Sequence, residues 1–194
     1  MHSELQVSYI VNRIFTSRTY ILSKENRNEV WLVDCGDFDE ILKRIGSRLI
    51  IGVLLTHAHF DHIYGLPELL SRFPESRIYT DMDGRDTLAD SKRNLSLYHE
   101  APVRIQGPQV CICEEGGEIS LFQDVSARVF ATPGHHPSCL SFAVDDYLFT
   151  GDSFIPGNKV VTNLPGGDGM MAKQSLDRIL KIAEGKTILP GHQV

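Results

Sequence analysis

Leu49-Ile50-Ile51-Gly52-Val53-Leu54-Leu55 runs directly into Thr56-His57-Ala58-His59-Phe60-Asp61-His62. The first half is an unbroken apolar run of strand length, the pattern of a β-strand covered on both faces. The second half places three imidazoles and a carboxylate within six residues, at the point where such a strand would end. Neutral imidazoles suit zinc or iron, and a carboxylate adds charge neutralisation. Alternate side chains diverge on a loop. His57 and His59 can therefore face one cation while Asp61 and His62 face a neighbouring position. A helical HExxH site, by contrast, sets its histidines one turn apart.

Three further segments repeat this grammar of strand, turn and ligand. Thr132-Pro133-Gly134-His135 follows a strand-like stretch, Phe149-Thr150-Gly151-Asp152 ends another, and Leu189-Pro190-Gly191-His192 ends the last. Layered α/β folds place their sites at such strand ends. Seven such ligands exceed one tetrahedral zinc site; zinc is the first expectation, with iron or manganese as alternatives.

The rest of the chain reads as strands at Leu5–Val11, Thr19–Leu22, Glu29–Val33, Arg77–Thr80, Gln109–Cys113, Glu118–Ser120, Ala127–Ala131, Leu140–Val144, Tyr147–Thr150 and Lys186–Leu189. Asp145-Asp146 suits a tight hairpin turn. Helices are expected over Phe38–Ile45, with Asp37 and Glu40 as a capping box, over Ile63–Phe73, over Asp81–Asn94, and over Met171–Ala183 with Leu176, Ile179, Leu180 and Ala183 on one stripe. Interleaved helices and strands in this proportion predict a layered α/β sandwich, read as one domain over residues 1–194.

Composition narrows the function. Of 194 residues, 19 are Lys or Arg and 25 are Asp or Glu, a net charge of −6, which opposes nucleic-acid binding. No apolar run approaches the roughly 20 residues of a membrane span, and Met1–Ile10 lacks the basic-then-apolar order of an export signal. The expectation is a cytoplasmic protein acting on a small molecule, without nucleic acid or membrane. Cys35, Cys111, Cys113 and Cys139 form no disulfide framework and read as small buried hydrophobes.

The motif set, from Val33-Asp34-Cys35-Gly36 to Pro190-Gly191-His192, resembles the metallo-β-lactamase superfamily, in particular its glyoxalase II-like hydrolase branch. The resemblance implies an αββα four-layer sandwich of two mixed sheets with outer helices, and a two-metal site at one edge. By position, His57, His59 and His135 would bind the first metal and Asp61, His62 and His192 the second. Asp152 would bridge them, together with a water or hydroxide. It implies that the hydroxide attacks a thioester, ester or lactone carbonyl, with Asp61 orienting it or relaying its proton. Asp34 would support a ligand histidine. Substrate candidates are His136, where the family often has Thr, and Lys159 and Asn163. Val161-Thr162-Asn163 departs from the Arg-Thr-Asp common in relatives. Arg85, Lys92 and Arg93 are a candidate basic rim. His2 and His99 carry no pattern.

Two other readings share these residues. A mononuclear iron persulfide dioxygenase would use His57, His135 and Asp152. A metal-stabilised binding module would not turn anything over. Glyoxalase II relatives continue into a helical segment that holds glutathione, whereas this sequence ends two residues after His192; a compact, open pocket with broader or different substrates is therefore expected.

Overall fold

A computed structural model describes residues 4–193; His2 lies outside them. The first half of the chain builds a six-stranded sheet from β1 (Gln6–Val11), β2 (Arg18–Ser23), β3 (Glu29–Val33), β4 (Leu49–Leu54), β5 (Arg77–Thr80) and β6 (Val110–Ile112), in that spatial order. The β1–β2 and β2–β3 pairs are antiparallel hairpins, while β3 through β6 run parallel. The second half builds a five-stranded sheet in the order β11-β10-β9-β8-β7. Its strands are β7 (Glu118–Phe122), β8 (Val125–Ala131), β9 (Leu140–Val144), β10 (Tyr147–Gly151) and β11 (Thr187–Pro190). Only β10 and β11 pair in parallel there.

Strand periodicity assigns the two cores. In β3, Val30 and Leu32 join Phe38, Ile41, Leu66 and Leu69 beneath the helices α1 (Phe38–Ile45) and α3 (Leu66–Arg72). Trp31 and Val33, on the opposite face, join Phe142, Val129 and Phe149 between the sheets. Trp31 Nε1 donates to the Leu121 carbonyl at 2.7 Å, so the indole is buried with its one polar atom satisfied. Helix α5 (Gly169–Ile182) covers the outer face of the second sheet, with the Arg178 guanidinium over the Phe130 ring and Ile179 fully buried. The layers are therefore helix, sheet, sheet, helix, as expected.

Local departures have local causes. β4 is covered on both faces only in its second half; Leu49 and Ile51 are exposed at the end of the sandwich away from the histidine run. Asp37 precedes α1 but does not cap it, because its carboxylate accepts from Arg13 N at 2.8 Å and Arg13 Nε at 2.9 Å. Glu40 turns to Lys43 instead.

The helix expected over Ile63–Phe73 is two pieces, α2 (Phe60–Ile63) and α3. The chain bends at Gly65, where a Cβ would sit 2.1 Å from the Gly36 carbonyl, and Pro67 starts the next helix. In the Asp81–Asn94 stretch, α4 (Met82–Leu88) stops early. Asp90 then accepts from Lys92 N and Asn94 from Ser96 N, local bonds that compete with helix.

On α5 the buried stripe is Ala172, Ser175 and Ile179, while Leu180 is exposed. Asp168 caps this helix, accepting from Met170 N at 2.8 Å and Met171 N at 2.9 Å. Asp168→Ala is expected to cost about 1 kcal/mol, read as a lowered urea midpoint with unchanged slope. All four cysteines are free; Cys113 is buried between the sheets, and Cys111 is half-exposed rather than buried.

Candidate metal centre

Parallel pairing of β3 with β4 and of β10 with β11, and the two antiparallel steps that set β8 in the same direction as β10, bring the carboxyl ends of these five strands to one edge of the sandwich. The residues just beyond those ends are Asp34, His57, His135, Asp152 and His192. The two sheets are stitched at this edge by Leu140 N donating to the Thr56 carbonyl at 2.8 Å. Helix α2 carries Asp61 and His62 over the same spot. All seven expected ligands converge, and their atoms fall into overlapping trios within 4.8 Å: His57, His59 and His135; His57, His62 and Asp152; Asp61, His62 and His192.

Each of three histidines has one ring nitrogen anchored, which decides what the other offers. His62 Nδ1 lies 2.8 Å from Asp34 Oδ2, His135 Nδ1 lies 2.7 Å from the Val161 carbonyl, and His192 Nδ1 lies 2.9 Å from the Phe15 carbonyl. Carbonyls and carboxylates only accept, so these nitrogens carry the protons. The Nε2 atoms face the cluster, with lone pairs whenever the rings are neutral.

Those Nε2 atoms crowd together. His62 Nε2 is 3.3 Å from His192 Nε2 and 3.6 Å from Asp152 Oδ1, and His192 Nε2 is 3.2 Å from Asp61 Oδ2 and from Asp152 Oδ2. His135 Nε2 is 3.5 Å from Asp152 Oδ2 and 2.9 Å from His59 Nδ1. Gly191 permits this density: a Cβ there would fall 2.2 Å from Asp152 Oδ1.

The electrostatics divide the cluster. Burial, reinforced by neighbouring imidazoles, holds His57 well below its ordinary pKa and His59 down at about 3. Around His62 burial works in the same direction. There, however, Asp61, Asp34 and Asp152 outweigh it and hold the ring well above its ordinary value. Burial also opposes charge on His192, yet Asp152 and Asp61 push it up to about 10. Burial would raise Asp61 and Asp152, but His62 and His192 keep both low.

The residues fit divalent metal. His57 Nε2, His59 Nε2 and Asp152 Oδ1 are buried without any hydrogen-bond partner. Buried polar atoms are ordinarily satisfied, and His57 Nε2 and Asp152 Oδ1 belong to donor sets of borderline nitrogen and hard oxygen that divalent metals take. The anchors supply the fixed orientation that ligating histidines need.

The cluster floors a cleft of about 970 Å³. Phe15, Phe60, Leu95, Tyr98, Val161 and Leu164 make its walls mostly apolar, and Lys92, Arg93 and His99 add polar groups on one side. His99, patternless in the sequence, stacks on Phe60 with ring centroids 3.9 Å apart and meets the edge of Phe15 at 6.2 Å. Of the basic-rim candidates, Lys92 and Arg93 line the cleft, whereas Arg85 pairs with Asp86 away from it.

The three substrate candidates are not brought to the cleft wall. Lys159 and Asn163 are exposed elsewhere, and His136 is buried with Nδ1 2.8 Å from Ser138 Oγ. Phe15 and Tyr98 were not legible as site residues, since nothing in a lone aromatic within a turn announces what it covers.

Fold and cluster together define an α/β sandwich with a candidate metal site at one edge. A family model described as the metallo-beta-lactamase superfamily matches residues 15–192, and the chain belongs to that superfamily. It is 28% identical over 176 residues to the hydroxyacylglutathione hydrolase of Photorhabdus laumondii, covering 90% of this chain and 61% of that protein's length. It is 30% identical over 145 residues to the probable metallo-hydrolase YqgX of Bacillus subtilis, covering 73% of this chain and 68% of that one. The crystal structure of the BLEG-1 B3 metallo-beta-lactamase superposes with a TM-score of 0.85 at 24% identity, over 97% of this chain and 92% of that one, a likeness of fold. Among the described residues no helix is long and apolar enough to cross a membrane.

Proposed function

We propose that the protein is a metal-dependent hydrolase of small thioesters, other esters or lactones. The supporting observation is the cluster of His57, His59, His135, Asp61, His62, Asp152 and His192, with buried unpartnered donor atoms, at the floor of an open apolar cleft. His57, His59 and His135 would hold one divalent ion, Asp61, His62 and His192 a second, and Asp152 both. Zinc is the first candidate, with iron or manganese as alternatives. Bound there, such ions supply an ionised water at neutral pH and polarise a carbonyl.

The chain's own groups do the rest. Asp34, the Val161 carbonyl and the Phe15 carbonyl hold three ligand rings in register. Asp61 lines the cleft and would orient the attacking hydroxide or relay its proton to the leaving group. Phe60 and Tyr98 would give the acyl group an apolar wall to lie against. Ser153, next to Asp152, is committed to Thr132. The relatives named hydroxyacylglutathione hydrolase and metallo-hydrolase support a hydrolytic reading.

The test is metal analysis of gently purified protein, followed by thioester, lactone and phosphodiester assays with that metal loaded. About two equivalents per chain and turnover on a carbonyl ester are expected. One iron per chain with persulfide-dependent oxygen consumption would replace the proposal with a dioxygenase. Metal without turnover on any ester would leave a binding module.

A further inference from the structure

The loop after α4 contributes five of the residues lining the cleft: Lys92, Arg93, Leu95, Tyr98 and His99. None of them is a candidate ligand. The loop is held from behind rather than from the cleft. The Asn94 side chain donates to the Val103 carbonyl at 3.0 Å and accepts from Ser96 N at 2.9 Å. Leu95 adopts φ +67°, a left-handed conformation that a branched side chain takes only when its surroundings impose it. His99 then stacks on Phe60, which precedes the ligand Asp61 in the chain. The loop is thus a fixed wall, joined through one ring pair to the metal-bearing turn.

Its charge runs against the protein's. The chain carries −6 overall, yet the cleft-lining side chains outside the seven-ligand cluster include two cations, Lys92 and Arg93, and no carboxylate. Asp90 accepts from the Lys92 backbone N–H, and among the described residues no carboxylate pairs with the Lys92 ammonium. Arg93 has Asp83 at 3.8 Å, beyond hydrogen-bonding distance. Both side chains are exposed, as are Phe15 and Tyr98 beside them, while Phe60 is buried.

We infer that the cleft selects amphipathic organic anions: an apolar body against Phe15, Phe60 and Tyr98, and an anionic group, carboxylate, sulfonate or phosphate, at Lys92 and Arg93. This names the substrate class of the hydrolase proposed above and rests on that reading for turnover, though not for binding.

Binding and turnover therefore form separate arms. In the first, octane-1-sulfonate and octan-1-ol are titrated calorimetrically into the metal-loaded protein and into the double variant Lys92→Glu/Arg93→Glu. The sulfonate is expected to bind about tenfold more tightly than the alcohol. The double variant should abolish that ratio, whatever it does to either compound alone. Equal binding of the two compounds overturns the inference. So does a preference that survives the double variant, since the metals would then be reading the anion.

In the second arm, octanoyl thioesters of 3-mercaptopropanesulfonate and of N-acetylcysteamine are compared. The anionic one should show the lower KM, and the double variant should raise that KM with little change in kcat. Absence of turnover with an intact binding preference refutes the hydrolase reading alone; turnover with no anionic preference in either arm refutes the substrate class alone.

Discussion

Asp152→Ala should lower ester turnover by about three orders of magnitude or more and reduce bound metal from about two equivalents per chain to about one or none. The reason is geometric. Asp152 Oδ2 is 3.5 Å from His135 Nε2 and 3.2 Å from His192 Nε2, and Oδ1 is 3.6 Å from His62 Nε2. It is thus the side chain in reach of ligands from both outer trios. Without it, two cations would be held next to each other by groups that are otherwise mostly neutral imidazoles, with Asp61 as the one remaining carboxylate in the cluster.

Asp152→Asn separates charge from shape, because the amide keeps the volume and removes the negative charge. The same loss of metal is expected from it. Metal per chain by elemental analysis, measured alongside kcat on the best ester of the screen, reads both quantities. A folding readout in chelator guards against simple collapse, since in the metal-free cluster His62 and His192 lean on this carboxylate. Either variant retaining the full complement of metal and near-normal turnover would remove Asp152 from the site.

Most of the site's composition was legible in the sequence because ligands need particular elements, and those elements recur at strand ends. The run from His57 to His62, and the endings at His135, Asp152 and His192, could be read without knowing how the sheets pair. The layered architecture followed in the same way from interleaved periodicities. What could not be read was whatever depends on neighbours distant in the chain.

Asp37 looks like a cap until Arg13, 24 residues away, takes its carboxylate. Ile63–Phe73 looks like one helix until the close approach of Gly65 to Gly36 bends it. The cleft walls are the extreme case. Phe15, His99 and Val161 belong to three separate stretches, and their shared surface exists only after both sheets have formed. The substrate candidates Lys159, Asn163 and His136 are likewise not among the residues lining the cleft. Lys159 and Asn163 lie near Asp152 in the chain, but nearness along a loop says nothing about which way that loop turns.

The second large effect concerns a residue that touches no cation. The buried Asp34 carboxylate accepts three hydrogen bonds. Oδ1 takes Thr56 N at 2.8 Å, while Oδ2 takes Thr56 Oγ1 at 2.7 Å and His62 Nδ1 at 2.8 Å. Asp34→Asn replaces one acceptor oxygen by a donor NH2. With the amide nitrogen on the His62 side, Nδ1 must become the acceptor, and the ring proton moves to Nε2, the atom that faces Asp61, Asp152 and His192. The lone pair needed for ligation is then gone. With the amide flipped, its NH2 meets the Thr56 N–H, donor against donor, in a buried place.

That clash favours the first arrangement, which is expected to weaken metal binding about 10–100-fold, measured by competition with a chelating dye, while the fold persists. Asp34→Ala goes further. It strands the Thr56 N–H, and it puts alanine at φ +59°, a conformation that Asp and Asn tolerate better. A loss of about 3 kcal/mol in urea unfolding under chelator is expected on that account. Wild-type metal affinity in Asp34→Asn would mean that the His62 tautomer is set elsewhere, and Asp34 would then be a structural anchor for Thr56 alone.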